Sequence, residues 1–499
     1  MAATFSTTID SETFKGSVSV NTGLFIGGKF VEAIKQTTID LHNPADGSVV
    51  TQVSLAGKED IDAAVDAAHA ALNSSWGAHV PAHTRAKLLH KLADLVESHV
   101  DELAALECLN AGRNYLQAKN HDILDVSANL RYYAGWADKH HGQTVETADG
   151  RLAYTRHEPI GVCGIIVPWN FPIMLTMWKV APALATGNCV VLKPSELTPL
   201  TALKLAALVH EAGFPAGVLN VVPGTGAGAG QALTEHMRVG KVSFTGSTAT
   251  GRAVMAAAAR SNLKRVTLEL GGKSPAIVFD DADLAVSVPE ILKSLFAHSG
   301  QVCVAGTRVY IQEGIYDTLV PILVGALGAF ALGDGFDPKA VAGPLVSQTQ
   351  LDRVLGYIEA GKAAGATLLA GGSRLDRPGY FVAPTLFTDV PPTASIMTEE
   401  IFGPVGVLVK FTTEAEALAL ANASDYGLTS QVYTQHLERA VRVTRALQAG
   451  NAFVNMFSML CPQMPFGGTK QSGFGKHLGQ AALDEYTILK AVHIRVGAA

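Results

Sequence analysis

The chain has few cysteines for its length, and they show no regular spacing. Its five cysteines are Cys108, Cys163, Cys189, Cys303 and Cys461, and no two of them form a C-x-x-C pair. Disulfide frameworks and zinc sites both show characteristic cysteine spacing, so the pattern indicates neither. We therefore expect a reducing compartment and no metal ion.

Blocks of positive charge are also missing. The chain carries 38 Lys and Arg residues against 44 Asp and Glu residues, which gives a formal net charge of -6. A protein that follows a phosphate backbone needs a basic surface. The charge balance therefore argues against a nucleic-acid partner.

Long apolar runs and targeting signals are absent as well. The longest runs, 161–169 and 324–332, fall short of the roughly 18 residues that a membrane span requires. The first arginine is Arg85 and the N-terminal region contains Asp10 and Glu12, which argues against an Arg-rich transit peptide. The C-terminus carries no peroxisomal tripeptide. By elimination we predict a cytoplasmic protein without a membrane partner.

Charged residues are scarce relative to apolar ones. They form 16% of the chain, whereas hydrophobic residues form 48%. Because soluble domains usually contain about 25% charged residues, some surface is expected to be hidden in contacts between subunits. The length of 499 residues also exceeds what one core usually supports. We predict two or three subdomains and a homo-oligomer.

Apolar residues recur in patterns that alternate between helix and strand. Helical spacing covers 60–72 and 85–108, and Gly112 can end the second helix. Strand patterns follow at 161–167, 189–192, 218–222, 242–244 and 266–270, and after Gly271-Gly272 at 276–279, 308–311, 405–411, 430–433 and 452–455. Strands that alternate with helices indicate parallel sheets. The chain is therefore predicted to be an α/β protein with two such domains.

Two turns in the first series have the composition of nucleotide-binding loops. The glycine-rich stretch 224–230 follows a strand, but its spacing fits a dinucleotide loop no better than a plain loop. A second turn, 244–248, supplies hydroxyl groups and backbone N–H groups that suit a pyrophosphate at a helix N-terminus. The two turns together favour a nucleotide site.

A third polar turn, Lys193-Pro194-Ser195-Glu196, follows the strand at 189–192. Ligands of open α/β sheets bind at the carboxyl ends of the strands, so Lys193 and Glu196 could both hold a ribose. The alternative is a solvated lysine beside a helix-capping Ser195. These four residues alone favour the alternative.

Cys303 and Glu269 are the candidates for covalent chemistry. Cys303 lies in a turn-prone stretch of small residues between a helix pattern and a strand. An arbitrary cysteine is more often simply buried. Glu269, however, is a lone carboxylate inside an apolar strand, where an unpaired charge is costly. It is either a general base or the partner of a nearby basic residue.

Six motifs occur together and in order along the chain. They are Pro168-Trp169-Asn170-Phe171-Pro172, Lys193-Pro194-Ser195-Glu196, Phe244-Thr245-Gly246-Ser247, Glu269-Leu270-Gly271-Gly272-Lys273, Gly300-Gln301-Val302-Cys303 and Glu400-Ile401-Phe402-Gly403-Pro404. This set resembles the aldehyde dehydrogenase superfamily, in particular its NAD-dependent, non-acylating, broad-specificity and phenylacetaldehyde branch. The resemblance extends from about Leu24 to the C-terminus.

The resemblance implies the chemistry of the site. Cys303 would be the nucleophile that forms a thiohemiacetal and then a thioester. Asn170 and the backbone N–H of Cys303 would form the oxyanion hole, and Glu269 would activate water. The cofactor would be NAD. Its implied contacts are Ile166, Val167, Pro168, Trp169, Lys193, Ser195, Glu196, Gly226, Gly230, Phe244, Thr245, Gly246, Ser247, Leu270, Gln350, Glu400 and Phe402.

The resemblance also implies a three-part architecture with a Rossmann-like domain. An NAD-binding domain would comprise 1–139 and 159–271, and a catalytic domain would comprise 272–470. A β-hairpin oligomerisation element would comprise 140–158 together with 471–499. In this family the hairpin adds a strand to a neighbouring subunit, so we expect a homodimer or a homotetramer.

Two departures from the family pattern lie beside Cys303. Relatives commonly have Asn and Gln where this chain has His298 and Ser299. Some relatives also flank the nucleophile with further cysteines, whereas this chain has Val302 and Val304. Neither departure removes a catalytic group. Both affect the shape of the pocket near the thiol.

Two other functions compete with aldehyde oxidation by hydrolysis. A CoA-acylating semialdehyde dehydrogenase would pass the thioester to coenzyme A, but such relatives generally lack a carboxylate at the position of Glu269. A non-enzymatic structural or binding member of the family would not need Cys303, Glu269, Asn170 and Lys193 together. The intact set favours hydrolysis.

The expected substrate pocket is apolar and aromatic. By the resemblance it is lined by Phe171, Met174, Leu175, Trp178, Val302, Val304, Leu460 and Phe466. Such a lining suits a ring or a long chain, and the loop 458–463 contains no arginine for a second carboxylate. We predict an aromatic aldehyde or arylacetaldehyde, such as phenylacetaldehyde or indole-3-acetaldehyde. A broad-specificity aliphatic enzyme is the alternative.

His121 and Asp125 distinguish this chain from broad-specificity relatives, which usually have apolar residues there. Their spacing of four places them on one helical face. They form either an ordinary surface pair or a polar rim of the pocket that contacts an N–H or O–H group of the substrate.

Overall fold

Strands and helices alternate along most of the chain, and a computed structural model describes residues 3–496. The strands are β1 Thr4–Asp10, β2 Lys15–Asn21, β3 Leu24–Ile26, β4 Lys29–Val31, β5 Thr38–His42, β6 Val49–Ser54, β7 Thr144–Val145, β8 Leu152–Pro159, β9 Val162–Ile166, β10 Cys189–Lys193, β11 Leu219–Val221, β12 Lys241–Thr245, β13 Arg265–Glu269, β14 Pro275–Val278, β15 Arg308–Gln312, β16 Thr367–Ala370, β17 Thr385–Thr388, β18 Val405–Phe411, β19 Tyr426–Gly427, β20 Thr429–Tyr433, β21 Asn451–Val454, β22 Thr469–Lys470, β23 Gly473–Phe474 and β24 Thr487–Ile494. The helices are α1 Lys58–Ser74, α2 Ala82–Ser98, α3 Val100–Ala111, α4 Tyr115–Gln117, α5 Ile123–Trp136, α6 Pro172–Ala185, α7 Leu200–Ala212, α8 Gln231–Glu235, α9 Thr248–Arg260, α10 Leu284–Phe296, α11 Glu313–Leu327, α12 Gln348–Ala363, α13 Ser395–Thr398, α14 Glu414–Asn422, α15 Leu437–Ala446 and α16 Ala481–Glu485.

The first large sheet has the strand order β23-β13-β12-β9-β10-β11-β3-β4. Its five central strands are parallel, and β23 and β3 pair with them antiparallel. Every residue of β9, β10 and β12 is buried, so both faces of the sheet are covered. The parallel arrangement brings the polar turns after β10, β12 and β13 to one edge of the sheet.

The second large sheet has the order β16-β17-β18-β15-β14-β20-β21. All its strand pairs are parallel except that of β16 with β17. The ten strands predicted from apolar patterns are confirmed, and their ends shift by at most one residue. The predicted α/β fold is therefore confirmed.

A smaller sheet, which we name the bridging sheet, consists of β24, β8 and β7 in that order. β24 and β8 pair along their whole lengths, from Thr487 opposite Pro159 to Ile494 opposite Leu152. The hairpin and the C-terminal strand thus lie together, as the resemblance implied. The nearby β23 instead pairs with β13 of the first sheet.

The prediction of one helix over 85–108 was wrong. The chain forms α2 and α3 there, separated at His99, whose backbone has φ -108° and ψ 18°. The His99 ring bonds to the Leu95 carbonyl at 2.9 Å and competes with helix continuation. Apolar spacing continues across this break because both helices bury a face. Gly112 ends α3 in the left-handed conformation, as predicted.

The sequence pattern did not reveal the N-terminal hairpin of β1 and β2. The two strands pair antiparallel, and Phe14 in their connection is buried. Its ring lies 5.6 Å from that of Tyr115 and 6.5 Å from that of Phe336. The hairpin is thus anchored by an aromatic contact. Within residues 3–496, no helix has the length and apolar character needed to cross a bilayer.

Candidate active site

Cys303 lies in a tight turn between α10 and β15. His298, Ser299 and Gly300 all have positive φ angles, which reverses the chain direction before the cysteine. A Cβ atom on Gly300 would lie 2.1 Å from the carbonyl oxygen of Gly403, so no larger residue fits there. The turn leaves Cys303 partly exposed at the wall of a cavity, unlike the buried Cys108.

Glu269 ends strand β13 and faces the thiol. Its Oε1 atom lies 3.4 Å from Cys303 Sγ, and its Oε2 atom accepts a hydrogen bond from Thr245 Oγ1 at 2.9 Å. Burial raises the pKa of Glu269, and the positive charge of Lys179 opposes that rise. Burial also raises the pKa of the Cys303 thiol, as do the carboxylates of Glu269 and Glu400. A proton can therefore be exchanged between this carboxyl group and the thiol or a water molecule beside it.

Lys179 completes the surroundings of Glu269, and the sequence reasoning missed it. It lies in α6, is 1% exposed, and its Nζ atom contacts Ser243 Oγ at 3.3 Å and His477 Nε2 at 3.0 Å. Burial lowers the pKa of Lys179 to about 7. A lysine inside the otherwise apolar helix pattern 172–185 was the available signal, because a buried ammonium group requires polar partners.

Asn170 lies beside the thiol with its side chain 2% exposed. Its Nδ2 atom donates one hydrogen bond to the carbonyl of Gln301 at 3.0 Å. A side-chain amide has two N–H groups, so one donor is left for a ligand. Asn170 and Cys303 line the same cavity of about 160 Å³, which we name the inner cavity.

A larger cavity of about 810 Å³, which we name the main cleft, lies at the carboxyl edge of the first sheet. The two cavities share Pro168, Trp169, Thr245, Gly246 and Ser247. Between them they are lined by all seventeen residues that the resemblance implied as cofactor contacts. The sequence reasoning missed further lining residues: Ala227, Gln231, Thr234, Glu235, Ala249, Thr250, Ala253, Val254, Ala257, Arg260, Gly271 and Arg353. The size and the polar edge suit a dinucleotide.

The polar turn 193–196 had two interpretations, a ribose-binding pair of Lys193 and Glu196 or a solvated lysine beside a helix-capping Ser195, and the structure excludes the second. Lys193 is 3% exposed and its Nζ atom lies 3.2 Å from Glu196 Oε2, so it is not a solvated lysine. Burial lowers the pKa of Lys193, and Glu196 opposes this effect. Ser195 accepts a hydrogen bond from the Leu197 backbone within the turn and does not cap α7. The alternative favoured by these four residues alone was therefore wrong.

Glu400 and Phe402 are held at the inner cavity by backbone geometry. Glu400 Oε1 accepts a hydrogen bond from the Gly272 N–H at 2.9 Å, and burial raises the pKa of Glu400 to about 7. A Cβ atom on Gly271 would lie 2.3 Å from Glu400 Oε2, so the glycine permits this approach. Gln350 donates to the carbonyl of Phe402 at 2.8 Å. Its amide nitrogen thus supports the 400–402 loop.

The glycine-rich stretch 224–230 forms a short turn on the wall of the main cleft. Thr225 Oγ1 accepts a hydrogen bond from the Gly228 N–H at 3.0 Å, and helix α8 follows directly. Gly226 and Gly230 both line the cleft. This position favours a ligand-contacting loop over a plain connection.

A separate apolar cluster, which we name the tunnel cluster, surrounds Cys303. It contains all eight apolar residues that were predicted to line the substrate pocket: Phe171, Met174, Leu175, Trp178, Val302, Val304, Leu460 and Phe466. It also contains Ala305, Leu428, Phe457 and Leu478, which the sequence reasoning missed. The rings of Trp178 and Phe466 meet edge to face at 5.3 Å. An aromatic wall thus approaches the thiol.

Asp125 belongs to this wall, whereas His121 is exposed. Asp125 Oδ2 accepts hydrogen bonds from Trp178 Nε1 at 2.7 Å and from Asn129 Nδ2 at 3.0 Å. Burial raises the pKa of Asp125 to about 6. His121 is exposed and forms no hydrogen bond with Asp125 among residues 3–496. The two residues are therefore not an ordinary surface ion pair.

The first of the two departures, His298 and Ser299, is accommodated by contacts of both side chains. Ser299 Oγ donates to the Gly343 carbonyl at 2.6 Å, and the His298 ring lies 5.5 Å from that of Phe171. His298 is buried, which lowers its pKa far below the ordinary value. A neutral imidazole thus supports the Phe171 side of the tunnel cluster.

The fold and the cleft define a dinucleotide-dependent oxidoreductase. The aldehyde dehydrogenase family model matches residues 30–492. An aldehyde dehydrogenase of Agaricus bisporus is 51% identical over 496 residues, which cover 99% of both chains. The NAD+ complex of the Bacillus cereus aldehyde dehydrogenase is 47% identical with a TM-score of 0.94, covering 95% of this chain and 97% of that one. An indole-3-acetaldehyde dehydrogenase of P. syringae, solved with NAD+ and IAA, is 40% identical with a TM-score of 0.94, covering 96% and 97%.

The chain belongs to the aldehyde dehydrogenase family, and it is an NAD-dependent aldehyde dehydrogenase. The buried Lys193, the Glu196 carboxylate and the glycine-containing turns of the main cleft fit this cofactor.

Proposed function

We propose that the chain oxidises an arylacetaldehyde to its carboxylic acid through a thioester on Cys303. The contact of Cys303 Sγ with Glu269 Oε1 at 3.4 Å carries this proposal, because it places a nucleophile and a base at one end of the tunnel cluster. NAD+ in the main cleft supplies the acceptor for the hydride.

The first half of the reaction uses Cys303 and Asn170. The thiol proton passes to Glu269, and Sγ forms a bond with the aldehyde carbon. The carbonyl oxygen becomes an oxyanion, which the free N–H of Asn170 and the backbone N–H of Cys303 stabilise. Loss of hydride from the same carbon then leaves a thioester on Sγ.

The second half uses Glu269 as a base for water. Glu269 first releases the thiol proton to solvent, and its carboxylate then takes a proton from a water molecule, whose oxygen adds to the thioester carbon. The bond to Sγ breaks, the acid leaves, and the proton on Glu269 returns to the sulfur, which restores the thiol and the carboxylate. Lys179 keeps part of the carboxylate ionised despite its burial. A carboxylate placed this close to the thiol also favours transfer to water over transfer to coenzyme A.

The proposed substrate class rests on the tunnel cluster. Its aromatic walls suit a ring, and Asp125 places a carboxylate among them. With a pKa of about 6, Asp125 is ionised at neutral pH and accepts hydrogen bonds. A substrate ring that bears an N–H or O–H group therefore gains a contact that a plain phenyl ring lacks.

Removing the Asp125 carboxylate should discriminate between two ring substrates. For Asp125→Ala we expect kcat/KM with indole-3-acetaldehyde to fall about tenfold more than with phenylacetaldehyde, the value of one hydrogen bond to a charged group. Steady-state NADH formation measures both. Asp125→Asn is the matched control, because it keeps the size of the side chain and removes its charge. Equal losses on both substrates, or a preference of the native enzyme for acetaldehyde, would favour the aliphatic broad-specificity alternative.

Cofactor preference provides an independent prediction at the main cleft. The Glu196 carboxylate accepts a hydrogen bond from a ribose 2′-hydroxyl but repels the 2′-phosphate of NADP. We expect Glu196→Thr to lower the ratio of kcat/KM for NAD to that for NADP at least about tenfold. Glu235→Thr, at another carboxylate of the same cleft, should leave the ratio unchanged. An unchanged ratio in Glu196→Thr would contradict the role of Glu196.

We also propose a homodimer or homotetramer that assembles through the bridging sheet. This sheet exposes large apolar side chains, which are Val145, Leu152, Ile488, Leu489 and Ile494. Exposed apolar side chains on a sheet with a free edge are typical of strand addition between subunits. Sedimentation of a monomer at micromolar concentration would contradict this assembly.

A further inference from the structure

Two histidines and an aspartate converge beside the bridging sheet, outside the main cleft and the inner cavity. His140 follows α5, His157 lies on β8, and Asp484 lies on α16. One ligand atom from each lies within 4.8 Å of the other two, and His140 Nε2 is 3.4 Å from Asp484 Oδ1. We name these three residues the His140 cluster.

Thr487 brings the two imidazole rings to one point. Its Oγ1 atom lies 3.3 Å from His140 Nε2 and 3.1 Å from His157 Nδ1. The same hydroxyl donates its only proton to the Leu483 carbonyl at 3.0 Å. His140 Nε2 and His157 Nδ1 therefore donate to the hydroxyl oxygen, and each ring would transfer its N–H to its other nitrogen when it binds an ion. Asp484 Oδ1 lies beside His140 Nε2.

We propose that the His140 cluster binds a divalent transition-metal ion such as Zn²⁺. Ligands at Zn–N and Zn–O distances of about 2.0–2.2 Å stand about 3.3–3.6 Å apart in a tetrahedral site. The separation of 3.4 Å between His140 Nε2 and Asp484 Oδ1 already matches such an edge. The Asp484 side chain is 65% exposed and is free to close onto an ion, with a water molecule as fourth ligand.

The donor set selects the type of ion. Two imidazole nitrogens with one carboxylate suit Zn²⁺, Co²⁺ or Ni²⁺, whereas Mg²⁺ and Ca²⁺ prefer oxygen ligands. The rings of His140 and His157 lie with centroids 3.7 Å apart.

An ion at this position would join three separate parts of the chain. It would connect the end of α5, the strand β8 and the short helix α16 that leads into β24. We therefore assign it a structural role, which is to hold both strands of the bridging sheet against the body of the subunit. Cysteine spacing indicated no metal ion because this site uses no cysteine.

The test is a titration of the full-length protein with Zn²⁺ after treatment with a chelator. The variant Cys303→Ala, Cys461→Ala serves as the parent, because it removes the two thiols that are not buried. Calorimetry should show one Zn²⁺ per chain and no comparable binding of Mg²⁺. Co²⁺ should give the visible absorption of a tetrahedral site without a thiolate charge-transfer band.

Variants then locate the bound ion. In this parent, His157→Gln and Asp484→Asn should each weaken Zn²⁺ binding at least about tenfold. His141→Gln, at an exposed neighbouring histidine, should leave it unchanged. Zn²⁺ should raise the Tm of the parent but not that of His157→Gln.

The outcomes separate this site from the proposed catalytic function. In the enzyme that retains Cys303, His157→Gln and Asp484→Asn should keep NADH formation within about twofold, which also shows that they fold. The absence of stoichiometric binding, or equal binding in the parent and in His157→Gln, would overturn the proposal.

Discussion

Replacing Cys303 with alanine is expected to reduce aldehyde oxidation by at least about 10⁴-fold, because the covalent route through a thioester is lost. NAD binding should stay within about twofold of the native value, since Cys303 forms one wall of the inner cavity and the main cleft is built from other residues. NADH absorbance measures the first quantity. Quenching of tryptophan fluorescence by NAD measures the second, because Trp169 lines the cleft.

The matched control is Cys461→Ala, which makes the same chemical change at the other partly exposed thiol. This variant should retain activity, because the thiol that contacts Glu269 is that of Cys303. NADH formation by Cys303→Ala at more than about a hundredth of the native rate would exclude Cys303 as the nucleophile.

Glu269→Gln is expected to lower kcat by about 10²–10⁴-fold, the range for loss of a positioned general base. Solvent can remove the thiol proton at alkaline pH, whereas thioester hydrolysis needs a base beside the attacking water. A rapid burst of NADH should therefore precede a slow steady state. Stopped-flow absorbance separates the two phases. Loss of the burst together with turnover would show that solvent cannot replace Glu269 as the acceptor of the thiol proton, and native turnover would remove Glu269 from the mechanism.

The pH profile gives this variant a second measurement. Burial raises the pKa of Glu269, and the group acts as a base only when ionised. In the native enzyme kcat should therefore be low at pH values below this raised pKa and should increase as the pH rises through it. Glu269→Gln should lack this limb of the profile. Glu107→Gln is the matched control and should keep this limb of the profile. It removes another buried carboxyl group, whose pKa is raised to about 8.

Local patterns in the sequence were sufficient for the main elements and for most of the cofactor cleft. Fully buried parallel strands are continuous apolar runs, so β9, β10 and β12 could be located from composition. The turns that follow them carry short motifs, and parallel strands bring those turns to one edge. The role of Lys193 and Glu196 was open from those four residues alone: the resemblance implied a cofactor contact, and the structure showed that Lys193 is buried beside Glu196.

Contacts between distant parts of the chain were not accessible to this reasoning. Lys179 and His477 are separated by most of the chain, and their contact at 3.0 Å depends on how α6 packs against the C-terminal region. The partner of Asp125 is Trp178 on another helix, rather than His121 on the adjacent turn. The break at His99 follows from a ring–carbonyl contact that leaves apolar spacing intact.

The sequence alone therefore predicted the α/β architecture from local periods, and its motifs carried the resemblance to the family, which implied the roles of Cys303 and Glu269 and the residues that line the main cleft and the inner cavity. Tertiary structure alone decided the ionic surroundings of Glu269, the orientation of Asp125 toward the tunnel cluster and the convergence of the His140 cluster. These features depend on distances between side chains that are far apart in sequence. Such distances are set by the packing of helices on sheets, and no local pattern records them.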